Sequence, residues 1–361
     1  MKRSLPAALR LWFLSRRRAL PWRVEDARGL RDPYRTWVSE IMLQQTRVEV
    51  VVPYFENFLQ QFPNVKDLAA ASEEQVLKAW SGLGYYRRAR MLHAAAIVLT
   101  QDFAGQFPNH AAGLRALPGI GAYTSAAIAS LAFGERIPVV DGNVKRVVAR
   151  LMALPLAADD SKLERAARQQ GEVWMSALGG QDLVAAGELN EALMELGATV
   201  CLPRNPTCLL CPVADQCLAL EQGRTAELPF AKKVKKWVDL EMVFLVHRVG
   251  ARVLLTKREG GWSPGMFEPP SLILDKQSAE QAAHTLQAQS ATNHASQASP
   301  TPCSQELIAH GVVRHTITNH RIRAHVFALA GEPGTTGRAW LDPESVPLTG
   351  LARKVLQRTI V

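Results

Sequence analysis

Leu117-Pro118-Gly119-Ile120-Gly121-Ala122-Tyr123 stands between two segments whose apolar residues recur at helical spacing, and its reading decides the fold of the first part of the chain. Glycines two apart permit a hairpin that residues with a Cβ make with difficulty. Such a hairpin leaves the N–H groups around Gly119 and Gly121 open where the next helix begins, and there the helix dipole and the open donors favour a phosphate. A lone G-x-G is an ordinary turn. Between helices, in a basic chain, it reads as a helix-hairpin-helix grip on a nucleic-acid backbone. The same i, i+3, i+4 pattern recurs at 72–81, 87–101, 123–133, 144–154 and 189–200, so the chain to about residue 225 is expected to be mostly helical.

Further on, Cys201, Cys208, Cys211 and Cys217 fall in one short stretch with the spacing C-x6-C-x2-C-x5-C. Four thiolates in one loop can each take one iron corner of a cubane cluster. A structural zinc also accepts four thiolates, but such sites usually bring two tight C-x2-C pairs together from a distance, and only Cys208 and Cys211 form one here. A [4Fe–4S] cluster is therefore preferred over zinc, and both over inert cysteines. Thiolate ligands need a reducing compartment, which points to the cytoplasm. No signal peptide is expected, because the early apolar run is broken by Arg10 and by Arg16-Arg17-Arg18; Leu5, Leu9, Trp12 and Phe13 suggest a short amphipathic helix instead.

The net charge of +9 over 361 residues is uneven. Residues 1–100 carry 16 Lys and Arg against 9 Asp and Glu, residues 101–228 carry 10 against 14, and residues 229–361 carry 16 against 10. A chain basic at both ends suits a clamp around a polyanion. Residues 229–237, with Lys232, Lys233, Lys235 and Lys236, read as a basic linker. Beyond it, 240–247, 253–257, 312–317 and 322–329 look like strands and 351–358 like a closing helix. In 277–304 the first half reads as helix and the rest, from about 290, as a loop, so this domain is α+β.

Several polar residues stand out. Ser39-Glu40-Ile41-Met42-Leu43-Gln44-Gln45-Thr46 places a glutamate on a helix with few other charges, followed by Gln44 and Gln45, whose amides can read base edges. Asp141, opening Asp141-Gly142-Asn143-Val144-Lys145-Arg146, is either a helix N-cap or a catalytic carboxylate, and Glu40 is either a solvated helix residue or its counterpart. Gly82-Leu83-Gly84-Tyr85-Tyr86 precedes Arg87, Arg88 and Arg90, which could set rings against bases and charges against phosphates; Tyr86 reads equally well as core.

In this order the motifs resemble the endonuclease III superfamily of DNA base-excision glycosylases. The stretches around Glu40, Gly82, Asp141 and Leu189-Asn190-Glu191-Ala192-Leu193 resemble its adenine-removing, MutY-type branch. The resemblance implies an all-α helix-hairpin-helix glycosylase domain over 1–228 with an iron–sulfur loop at 201–217. It also implies a linker over 229–237 and an α+β Nudix-like lesion-recognition domain over 238–361. It further implies a monofunctional enzyme on double-stranded DNA that removes adenine opposite 8-oxoguanine or guanine, DNA-associated in the cytoplasm, with no membrane role. A monomer is expected.

By the same resemblance Glu40 is the general acid on a flipped adenine, Asp141 stabilises the oxocarbenium ion, and Tyr123 and Asn143 orient them. Glu191, Arg23 and Trp22 line the adenine pocket, and Gln45 and Tyr85 fill or wedge the stack. Strand-cutting relatives carry a lysine nucleophile where this chain has Tyr123, so no efficient lyase step is expected. In the place of the family's lesion-reading Phe-Ser-His this chain has Ile317-Thr318-Asn319-His320, where Thr318 could replace the serine hydroxyl but the aromatic and the histidine's position are altered. The hydrolytic Nudix helix is missing, since 278–289 holds only Glu280. Residues 24–32 form a longer segment than the family's and are expected to be a surface loop. Rival readings are a glycosylase for another mismatch, such as T opposite G, and a non-enzymatic iron–sulfur DNA-binding or redox-sensing protein.

Overall fold

A computed structural model of the chain describes residues 4–180, 182–232, 236–275, 277–292, 306–329 and 340–359. By internal contact the chain divides into two compact units, residues 1–70 with 91–234, and residues 71–90 with 235–361. The sequence reading grouped 71–90 with the first domain. The structure groups them with the C-terminal residues because Ser81 and Tyr86 both donate hydrogen bonds to the Leu348 carbonyl oxygen, a pairing that sequence continuity hides.

The first unit is helical. Asp32 caps Pro33–Leu43 by accepting from the Arg35 N–H at 2.7 Å, with a proline at the helix start where no N–H is needed. The hairpin helix Ala122–Phe133 is rich in Ala and Ser and is buried from Thr124 to Ala132, so small side chains let neighbours approach from all sides. Helix Gly142–Leu151 is amphipathic: Val144, Val147, Val148 and Leu151 meet Leu189, Leu193 and Leu196 of helix Ala185–Thr199, with Leu9 and Phe13 of Leu5–Arg16 closing the same core. Burying a large aliphatic or aromatic side chain there is worth about 1.5–3 kcal/mol.

In the second unit Val238–Val246 runs parallel to His320–Leu329, flanked by antiparallel Ser271–Ile273 and Leu307–Ile317. Alternation along the strands sends Val243, Leu245 and Phe327 to helix Ala279–Thr292, and Phe244, Val246, Ala324 and Val326 to helix Gly350–Arg358. The result is a mixed sheet between two helices. The expected strand 253–257 is split, since Arg252–Leu254 pairs with Trp340–Leu341 while Thr256–Lys257 pairs with Phe267–Glu268. The helix Ala279–Thr292 runs two residues past the loop's expected start near 290. Of the expected linker, Lys233 and Lys235 lie outside the described residues, as do Cys303 and the rest of that loop, 293–304. Among the described residues no helix is long and apolar enough to cross a membrane.

Candidate active site

Helix Pro33–Leu43 carries Glu40 inward to 6% exposure, so the reading of a solvated glutamate is excluded. Tyr123, at the start of the hairpin helix, donates its Oη hydrogen to Glu40 Oε2 at 2.6 Å. Burial pushes the Glu40 carboxyl up to about 7; the Tyr123 hydrogen bond and Arg31 oppose the rise, while the charges of Glu191 and Asp141 add to it. A carboxyl in that range carries a proton near neutral pH and can give it up.

Asp141 is the helix N-cap that its sequence offered, and it is also buried. Its Oδ1 accepts from the Val144 N–H at 2.7 Å and caps helix Gly142–Leu151. Its Oδ2 accepts from Asn143 Nδ2 at 3.0 Å. Burial raises the Asp141 pKa, and the main-chain N–H groups of Val144 and Asn143 oppose that rise. The charges of Asp141 and Glu191 act on both Glu40 and Tyr123, which sets these residues in one neighbourhood. Asn143 is held in turn, because its Oδ1 accepts from Arg146 Nη2 at 2.9 Å, and Arg146 Nε donates to the Cys201 carbonyl oxygen at 2.8 Å.

Glu191 is buried in a charge cluster. Arg23 Nε donates to its Oε1 at 2.9 Å and Arg31 Nη2 donates to its Oε2. Arg23 reaches on to Glu195 Oε2 at 3.0 Å, where Arg18 also donates. Sequence reasoning missed Arg31 and Glu195. The expected surface loop at 24–32 is corrected at its end, where Leu30 and Arg31 are buried and the Arg31 N–H donates to the Leu131 carbonyl. Trp22 stands in the core with its ring against Phe55 at 5.3 Å, edge to face.

Of the expected DNA contacts, Gln44 donates to Thr124 Oγ1 at 3.3 Å. Gln45 is exposed at φ +58 and Tyr85 is 47% exposed at φ +51, both left-handed conformations unusual outside glycine. The three arginines after Tyr85 do not all face outward. Arg88 lies against the Tyr85 and Trp80 rings at 5.3 and 5.5 Å, and Arg90 pairs with Glu73 at 3.0 Å. In the hairpin Gly119 has φ +72, and a Cβ there would run into Met91. Gly121 does not need its freedom: it has extended backbone, caps the hairpin helix and faces open space. Thr318 and Asn319 form the turn between strands Leu307–Ile317 and His320–Leu329, with Thr318 at φ +55 and the Asn319 carbonyl accepting from the Val238 N–H at 2.9 Å. His320 opens the second strand, its ring 4.9 Å from Trp262.

Cys201, Cys208, Cys211 and Cys217 are half-buried free thiols that line one cavity with Val147, Arg150 and Leu196. Burial pushes the Cys211 thiol up to about 11, with the other three cysteines adding to the effect. Arg150 donates to Cys201 Sγ at 3.3 Å and to the Leu202 carbonyl at 2.6 Å, so a cation already stands beside the thiols. Among the described residues no three His, Cys, Asp or Glu side chains converge as the ligands of a single metal ion.

Residues 38–172 match the family described as HhH-GPD superfamily base excision DNA repair protein. The adenine DNA glycosylase of Rattus norvegicus is 34% identical over 387 residues, covering 92% of this chain and 73% of that protein. That of Arabidopsis thaliana is 38% identical over 302 residues, covering 74% of this chain and 47% of that protein. The chain thus spans about half the length of several curated relatives it matches, as with 42% of the Homo sapiens adenine DNA glycosylase at 40% identity. Among solved structures, a thermostable thymine-DNA glycosylase superposes with a TM-score of 0.51 at 27% identity, covering 60% of this chain and 95% of that one.

Proposed function

Because the chain belongs to the adenine DNA glycosylase family of HhH-GPD base excision repair proteins, we propose that it hydrolyses the N-glycosidic bond of adenine mispaired with 8-oxoguanine or guanine in double-stranded DNA. The observation that carries this is the Tyr123–Glu40 hydrogen bond beside Asp141, in a site where burial keeps Glu40 near a pKa of 7. An adenine flipped out of the duplex, at a cost of a few kcal/mol that a mispair lowers, becomes a leaving group once protonated on its ring. Glu40 gives that proton. As the bond breaks, positive charge grows on the sugar; Asp141, oriented by Asn143, stabilises it while water attacks. With Tyr123 where a lysine would form a Schiff base, the strand is left uncut.

The four cysteines would hold a [4Fe–4S] cluster. The donor set suits that group, since four half-buried free thiols from one stretch of chain line a common cavity. With a cluster bound, these four thiolates would tie the loop from Cys201 to Cys217 together, a structural role and not a step on the base. Gly119 and Gly121 grip the DNA backbone, Gln45 and Tyr85 fill or wedge the stack, and Gln44 reads base edges. The C-terminal unit acts as a Nudix-like reader of the opposing base through Thr318, Asn319 and His320, without a hydrolytic activity of its own. The protein works as a cytoplasmic, DNA-associated monomer.

The decisive experiment is single-turnover base release from duplexes with A opposite 8-oxoguanine, A opposite G, and T opposite G, by wild type and Glu40→Gln. Adenine release that needs Glu40 and gives breaks only after alkali is the expected result. The likeness to a thymine-DNA glycosylase favours one second reading, and thymine release from the T:G duplex would select it.

A further inference from the structure

The loop that bears Tyr85 is held in place from the C-terminal end of its own unit. A left-handed tyrosine is disfavoured and persists only where its surroundings over-determine it. Here those surroundings are specific. Tyr86 Oη accepts from the Gly82 N–H at 3.4 Å and donates to the Leu348 carbonyl oxygen at 3.1 Å. Ser81 Oγ donates to the same oxygen at 3.0 Å and accepts from Arg353 Nη2 at 2.8 Å. Ser81, Tyr86 and Leu348 are all buried, so a partner lost there is not replaced by water.

Leu348 and Arg353 flank the start of helix Gly350–Arg358, which Thr349 caps by accepting from the Ala352 N–H. On the loop's other side Arg88 donates to the Gly84 carbonyl at 3.1 Å and lies against the Tyr85 ring. The exposed ring therefore stands on a stem whose buried end is gripped by residues 348–353.

We infer that this latch sets the Tyr85 ring for entry into the base stack, with Arg353 a positioning residue that acts through Tyr85. The C-terminal unit then reads the opposing base and also poises the wedge. This rests on the glycosylase reading for the role of Tyr85. Ordinary packing would need neither a carbonyl that takes two side-chain hydroxyls nor a guanidinium spent on a buried serine.

The test compares Arg353→Met, Arg353→Lys, Tyr85→Ala and the Arg353→Met/Tyr85→Ala double variant in single-turnover adenine release, with thermal midpoints to establish folding. Arg353→Met is expected to slow release about tenfold, as the loss of one coupled, partly buried hydrogen bond does. Arg353→Lys restores most of it, and in the Tyr85→Ala background Arg353→Met costs nothing more. An equal loss in both backgrounds, or no loss in either, overturns the latch. A second readout needs no catalysis: a fluorescent purine analogue beside the mispair brightens when the ring enters the stack, and Arg353→Met should diminish that rise. An unchanged rise overturns the latch even if wild type releases no adenine, an outcome that would by itself sink only the glycosylase reading.

Discussion

At the scale of single residues, Glu40 ties pH to both activity and stability. Its carboxyl is raised from 4.5 to about 7 in the folded chain. Base release that depends on the protonated acid should decline as pH rises through about 7, and Glu40→Gln should abolish the release rather than shift its profile. The stability consequence runs in the same direction. Between 4.5 and about 7 the folded state binds the proton more tightly than the unfolded one, so stability is full below that window and is lost as pH rises through it. Glu40→Gln removes that loss. Its melting temperature should exceed that of wild type at pH 8 and match it near pH 4, which paired calorimetric scans would check. A wild-type curve that is flat between those pH values would show that Glu40 is not buried with its proton. The sequence made Glu40 and Asp141 visible because each sits in a local motif. It could not show Arg31, whose partner Glu191 lies 160 residues away, since ion pairs of that span leave no spacing to read.

At the scale of elements, two glycines separate turn geometry from close approach. Gly119 holds φ +72 and has Met91 where a Cβ would stand, so Gly119→Ala should destabilise the fold by about 1–3 kcal/mol in chemical denaturation. Gly197 has an ordinary backbone, yet a Cβ there would lie 2.6 Å from Asn143 Cβ. Helix Ala185–Thr199 thus comes down on the residue that orients Asp141, and its Gly197 carbonyl accepts from Arg146 at 2.8 Å. Gly197→Ala should therefore push Asn143 aside and slow base release more than it lowers the melting temperature. Equal, small effects on both would remove Gly197 from the site. Arg146 joins the same element pair to the cysteine loop through the Cys201 carbonyl. Arg146→Met should slow release while leaving the four thiols in place, which visible absorption of the bound cluster would report. The hairpin was legible because its glycines lie two apart in one short motif. Gly197 was not, because a close contact between helices needs their packing to be known.

At the scale of the whole molecule, sequence and structure place the division of the chain differently. The change of composition near residue 228 suggests a cut that would release an intact helical domain. The contacts assign 71–90 to the other unit, with the capping box of Ser72 and Gln75, the buried Trp80 and the Tyr85 loop. Arg90, Glu73 and Leu77 all come within 4 Å of where a Cβ on Gly265 would stand, so this segment is packed against residues the cut would remove. A fragment ending at 228 loses the Leu348 acceptor and the Arg353 donor as well, leaving the buried hydroxyls of Ser81 and Tyr86 without those partners. Water can reach those hydroxyls once their cover is gone, so each loss costs the net worth of a hydrogen bond, about 0.5–1.5 kcal/mol. The seven-residue helix Glu73–Ala79 is too short to hold itself by its own hydrogen bonds. Hydrogen exchange should accordingly quicken across 72–90 in the fragment while Ala122–Phe133 and Gly142–Leu151, cored in the first unit, stay protected. Unchanged protection across 72–90 would mean that the first unit holds this segment unaided, and the compositional boundary at 228 would then be the folding boundary too.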